Sequence, residues 1–186
     1  MSNASVEFFF DFNSPYGYVA AHLIDDIAAK HGRTADWKPF LLGAVFKVTG
    51  AIPLPEAPMK GPYSKHDFGR SAGFHGLSYN PPEVVPFSPT AASRAVYWAK
   101  AQDPASASVM GLALYKAVLG EGMDIAGPDA VAAVAGKAGF DAAAVAEGIQ
   151  DPAIKEQLKA ETEAAIGKNV FGSPYFIVDG EGFWGC

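Results

Sequence analysis

The sequence predicts an α/β fold, with a strand, helix, strand half over residues 1–57, an all-helical insertion over 58–166 and a closing strand hairpin over 167–186. Three observations carry this. The apolar period switches from that of a strand to that of a helix within Phe8 to Ala20, through one short polar turn. Alanine-rich helical periodicity with proline and glycine punctuation then runs from Tyr63 to Ile166, a pattern of close helix packing. Alternation returns from Gly172 to Trp184 around Asp179-Gly180, a hairpin signal.

Taken in order, apolar residues at 6, 8, 10 and 12 alternate with Glu7, Asp11 and Asn13, and Phe9 makes the second face partly apolar, as in a strand covered on both sides. Tyr16, Ala20, Leu23, Ile24, Ile27 and Ala28 then recur at helical spacing, with Pro15 in the first turn and Gly32 past the end, so Asn13 or Ser14 is the N-cap. Thr34 to Leu42 reads as a second, parallel strand reached by a right-handed crossover. Gly43 to Pro62, with Pro53, Pro55 and Pro58, reads as an irregular excursion with no regular element. Helices are predicted at Tyr63–Gly73, from Ser88-Pro89-Thr90 to about Gln102, at Ser106–Leu119, at Ala130–Ala138 after a Gly127-Pro128-Asp129 start, at Asp141–Gln150 and from Asp151-Pro152 to Ile166, with a proline-punctuated connection from Leu77 to Pro89. The final strand stops at Cys186 without a covering helix, which reads as a truncated chain.

Composition narrows the function classes. A net charge of −6 argues against nucleic acid or an anionic membrane as partner. The N-terminus lacks a signal-peptide pattern, no segment has the roughly 20 apolar residues of a membrane span, and the expected compartment is the cytoplasm. The single cysteine, Cys186, excludes a two-cysteine redox centre within the chain. The four histidines show no metal-ligand spacing, and neither dinucleotide nor P-loop glycine motifs occur; no metal is expected.

Ser14 is the first candidate. Its plain role is helix capping, but a helix start also offers free amides and the positive end of the helix dipole, which favour an anion such as a thiolate or carboxylate. No histidine or G-x-S-x-G elbow accompanies it, so hydrolase-type activation is unsupported. Ser173-Pro174 opens the last strand region, where a proline ordinarily marks a strand edge. Lys60 and Asp67, seven residues apart, read on their own as solvated charges. Phe12, Tyr16, Tyr18 and Phe46 read as core that could also line an apolar pocket.

Three segments together resemble the 2-hydroxychromene-2-carboxylate isomerases and kappa-class glutathione transferases, relatives of the DsbA-type disulfide oxidoreductases. They are Phe10-Asp11-Phe12-Asn13-Ser14-Pro15-Tyr16, Trp37 to Lys47, and Val170-Phe171-Gly172-Ser173-Pro174-Tyr175-Phe176 with Phe183-Trp184-Gly185. The resemblance implies a thioredoxin-like fold with an inserted all-helical subdomain, and glutathione as cofactor. Where the disulfide-exchanging relatives carry C-x-x-C, this chain has Ser14-Pro15-Tyr16-Gly17, which rules out thiol exchange by this chain alone. It further implies that Ser14 is catalytic, hydrogen-bonding the sulfur of bound glutathione. Lys60, Asp67 and Ser173 before a cis Pro174 are implied to bind the cofactor, in a homodimer. Two departures stand out: Ala51 follows Thr49-Gly50 where the family usually has Asn, and the family's Asp-Arg after the final Trp-Gly-x has no counterpart. The first implies the loss of one amide contact, and the second, if the protein ends at Cys186, an impaired hold on the γ-glutamyl end.

The leading expectation is a glutathione-dependent isomerase of 2-hydroxychromene-2-carboxylate or a related aromatic acid. Its rivals are a kappa-like glutathione transferase, which consumes glutathione, and a non-catalytic glutathione-binding protein of the same fold.

Overall fold

The computed structural model describes residues 5–186; the reading of residues 1–4 as free of a targeting signal lies outside that range. Strand β1 (Val6–Phe10) leads through the short turn of residues 11–14 into helices α1 (Pro15–Ala21) and α2 (Ile24–Lys30), and β2 (Ala35–Pro39) closes the first unit. One sheet has the order β2, β1, β3, β4, where β3 is Tyr175–Val178 and β4 is Glu181–Trp184. β1 runs parallel to β2 and antiparallel to β3, with Phe8 opposite both Trp37 and Phe176. The hairpin turns at Asp179-Gly180, both at positive φ.

β1 is the central, doubly covered strand, as the phenylalanine run demands. Phe8, Phe10 and Phe12 face the main core with Trp37, Met110 and Tyr115, while Phe9 packs on the other face with Phe40, Val45 and Tyr175. Each such fully buried side chain contributes roughly 1.5–3 kcal/mol of transfer free energy. The main core is shared between sheet and helical region, so the two fold as one packed body.

Two expectations are corrected. The predicted single helix after the turn breaks at His22-Leu23. The His22 imidazole Nδ1 donates to the Tyr18 carbonyl at 2.9 Å, the acceptor that the His22 backbone N–H would use in a continuing helix. That N–H bonds the Val19 carbonyl instead, which tightens and ends the turn. The excursion from Gly43 also holds regular structure: helix α3 (Leu42–Thr49), closed by Gly50 at φ 71°, and a short 3₁₀ turn at Leu54–Glu56.

Helix α4 (Lys60–Phe74) follows the excursion. Then come α5 (Thr90–Gln102), α6 (Ser106–Tyr115) extended by a π turn at Lys116–Gly120, α7 (Pro128–Lys137), α8 (Ala142–Gly148) and α9 (Pro152–Gly167). α5 and α9 are tied to β2 by ionic contacts: Lys100 with Asp36, and Lys38 with Asp36 and Glu161. Tyr97 of α5 donates to the Pro39 carbonyl at 2.8 Å. Among the described residues, no helix is long and apolar enough to cross a membrane, and no group of His, Cys, Asp and Glu could hold a metal ion.

Candidate active site

The turn after β1 and the segment before β3 meet in a buried polar cluster. Ser14 is the N-cap of α1, in extended backbone, and its Oγ accepts from the Gly17 N–H at 3.0 Å. Such a cap stabilises a helix by about 1 kcal/mol. The hydroxyl proton is spent differently: Ser14 Oγ donates to the Ser173 carbonyl at 2.6 Å. A carbonyl only accepts, so the direction is fixed by chemistry. The Ser173–Pro174 bond is cis, and Ser14, at 7% exposure, is closed off from solvent.

Beneath this pair lies Asp11. Its backbone N–H donates to Ser173 Oγ at 2.9 Å, and its carbonyl accepts from the Tyr115 hydroxyl at 2.8 Å and the Ser14 N–H at 2.9 Å. Its carboxylate accepts from the Asn13 N–H, the Asn13 side-chain amide and the Leu42 N–H. Burial pushes the Asp11 carboxyl above its ordinary value, against the pull of those three donors. Burial likewise pushes the Tyr115 hydroxyl well up, with Asp11 adding and a hydrogen bond with Ser173 opposing, so it remains a donor.

Asn13 locks the turn laterally. Its side-chain amide donates to the Phe87 carbonyl at 3.1 Å, and its oxygen accepts from the Phe87 N–H at 2.9 Å. Gly17 has no room for a side chain. A Cβ there would stand 2.5 Å from the Tyr115 hydroxyl oxygen and 2.9 Å from Ser173 Oγ.

The rim is built from α4. The Tyr16 hydroxyl donates to Asp67 Oδ2 at 2.7 Å, and Arg70 donates to Asp67 Oδ1 through Nε and a terminal nitrogen. The Arg70 guanidinium lies over the Tyr63 ring at 5.2 Å. These bonds, Tyr16 first and Arg70 second, hold the Asp67 carboxyl below its usual range, and burial with the neighbouring carboxylate pushes the Tyr16 hydroxyl up. Lys60 opens α4 and is exposed, about two turns from Asp67 on the same helix face.

Of the residues singled out by sequence, Ser14, Ser173 and Pro174 come together directly, Asp67 joins them through Tyr16, and Lys60 takes part in none of the turn's hydrogen bonds. Asp11, Asn13, Gly17 and Tyr115 were missed as site residues. Asp11 was visible as the acid that interrupts an aromatic strand; Tyr115, about a hundred residues away, carried no local signal. Cavity size is no guide: a groove of about 760 Å³ lies between α2 and the sheet, lined by Ile27, Val178 and Phe183, away from Ser14.

The model for the DSBA-like thioredoxin domain matches residues 5–186. The chain belongs to the DSBA-like thioredoxin family. Within it, the chain is 28% identical to the 2-hydroxychromene-2-carboxylate isomerase of Sphingobium xenophagum, over 97% of this chain and 92% of that protein. It is 26% identical to the glutathione S-transferase kappa 1 of Homo sapiens, over 95% of this chain and 83% of the relative. A solved 2-hydroxychromene-2-carboxylate isomerase superposes with a TM-score of 0.84 at 28% identity, covering 98% of this chain and 89% of that one. The thioredoxin-like α/β fold expected from sequence therefore stands.

Proposed function

We propose that the protein is a glutathione-dependent isomerase of 2-hydroxychromene-2-carboxylate or a related aromatic acid, acting at the Ser14 turn. The observation that carries this is the 2.6 Å hydrogen bond from Ser14 to the carbonyl before cis Pro174, in a chain similar over nearly its whole length to isomerases of that name. When bound, glutathione supplies a thiolate that adds reversibly to the substrate and is recovered, so it acts as cofactor.

The residues present fit such a peptide. Ser14 has one proton; once the Ser173 carbonyl accepts from another donor, Ser14 can turn that proton onto a sulfur at the positive end of α1. Ser173, in the bend just before β3, offers backbone groups to an extended peptide. Asp67 offers a carboxylate and Lys60 an ammonium for the peptide's charged ends.

Calorimetric titration with glutathione tests binding, and absence of heat at millimolar glutathione would sink the reading. Following total free thiol during turnover tests the reaction, because the isomerase holds it constant. The similarity to a kappa-class transferase favours one rival, which predicts thiol loss in step with substrate. Binding without turnover of either substrate type would point to the non-catalytic alternative, which the departure at Ala51 favours. The homodimer implied by the resemblance and the cytoplasmic location expected from the sequence are part of the same proposal, and sedimentation tests the first.

A further inference from the structure

Asp11 is the one acid of the site that is both buried, at 2% exposure, and bonded to N–H donors alone through its side chain. Its Oδ1 takes the Asn13 N–H at 2.8 Å and the Asn13 side-chain amide at 3.1 Å, and its Oδ2 takes the Leu42 N–H at 2.9 Å. The first two belong to the turn that carries Ser14. The third is the first amide of α3, which has no partner inside its own helix. A group with an acceptor oxygen at each end is required here, which a carboxyl group keeps in either protonation state. A carboxamide of the same shape would set its NH₂ against one of the donors, whichever way it turned. A charge buried without a cation among its hydrogen-bond partners is expensive for a fold, and this one joins two segments of the candidate site.

We infer that Asp11 is the positioning residue of Ser14: its carboxylate clamps the Asn13-Ser14 turn to the N-terminus of α3, and so aims the Ser14 hydroxyl. The consequence for glutathione rests on the function proposed above; the clamp itself does not. Asp11→Asn breaks the clamp while keeping the volume. Leu42→Pro removes the third donor at a first-turn position that tolerates proline, after a residue already extended at ψ 96°.

The test is amide hydrogen exchange on the full chain, read at Asn13, Leu42 and Gly17, whose N–H reports on Ser14 Oγ, against the amides of β1. It is paired with glutathione affinity and the ultraviolet absorbance of the bound thiolate. Asp11→Asn is expected to speed exchange at these three amides at least about tenfold relative to β1, to weaken glutathione about tenfold, and to move the thiolate midpoint to higher pH. Adding Leu42→Pro to Asp11→Asn is expected to recover part of the loss, which also serves if the single variant fails to fold. Unchanged exchange at Gly17 overturns the proposal. So does faster exchange with unaltered affinity and thiolate midpoint, which would make Asp11 only structural. Should the native protein not bind glutathione, the functional reading falls and the exchange result alone decides: acceleration at Gly17 and Leu42 supports the clamp, and its absence overturns it.

Discussion

Two carboxylates serve this site from opposite surroundings. Asp11 lies under the turn, buried, with N–H donors on both oxygens and its acidity weakened by burial. Asp67 lies on the rim, partly exposed, held by a phenol and a guanidinium with its acidity strengthened. The contrast separates a base in which each polar group has a fixed partner from a rim whose charges sit in water and can exchange partners. A buried network of this kind is rigid because any lost bond leaves an unsatisfied group. A solvated pair gives up little when it opens. Precision is therefore expected from the base and adaptability from the rim.

The contrast can be broken, largest effect first. Ser14→Ala is expected to lower turnover by roughly 100-fold, the scale for losing one donor to a developing anion. Its stability loss should be about 1–3 kcal/mol, because the helix cap and the donor to the buried Ser173 carbonyl go together; an unchanged rate in a steady-state assay would remove Ser14 from the chemistry. Gly17→Ala drives a methyl against Tyr115 and Ser173 and is expected to destabilise by about 1–3 kcal/mol in urea unfolding. Tyr115→Phe takes one donor from the Asp11 carbonyl and is expected to destabilise by about 1 kcal/mol, with glutathione affinity falling alongside.

The carboxylates themselves should separate by pH. With its folded value raised, Asp11 binds protons more readily folded than unfolded. Its contribution is therefore fullest below the ordinary carboxylate value and declines as pH rises through the raised one. The stability deficit of Asp11→Asn against the native chain should accordingly shrink from acid toward neutral pH. Asp67, with its value lowered, contributes above the ordinary value and loses that contribution as pH falls through the lowered one. The smaller deficit of Asp67→Asn should then vanish in acid. Melting temperatures across that range check both; parallel trends would dissolve the distinction between base and rim.

How far sequence alone reached follows the same division. The turn, its cap and the closing hairpin were legible because their signals are local: a change of period, a proline after serine, an Asp-Gly turn. The cis bond before Pro174 was anticipated from the resemblance, since composition offers no reason for one. Helix α3 was hidden because its first amide is satisfied by a carboxylate 31 residues earlier, with no side-chain cap of its own. The break at His22 depends on an imidazole competing for a carbonyl, which periodicity does not report. Tyr115 could be read only as core, because its hydroxyl acts on a backbone group 104 residues away.

The lack of space at Gly17 bears on redesign as well as stability. In the disulfide-exchanging members of the fold the fourth residue of this turn is the second thiol, and here that place is filled by the Tyr115 hydroxyl and Ser173 Oγ. A cysteine placed at 17 would set its Cβ against both of those groups, even with Ser14→Cys already made. Room is made for it most directly by first removing the phenol hydroxyl, as Tyr115→Phe does. An engineer introducing electron exchange at this turn would therefore begin with a change on α6, before the change at 17 on α1.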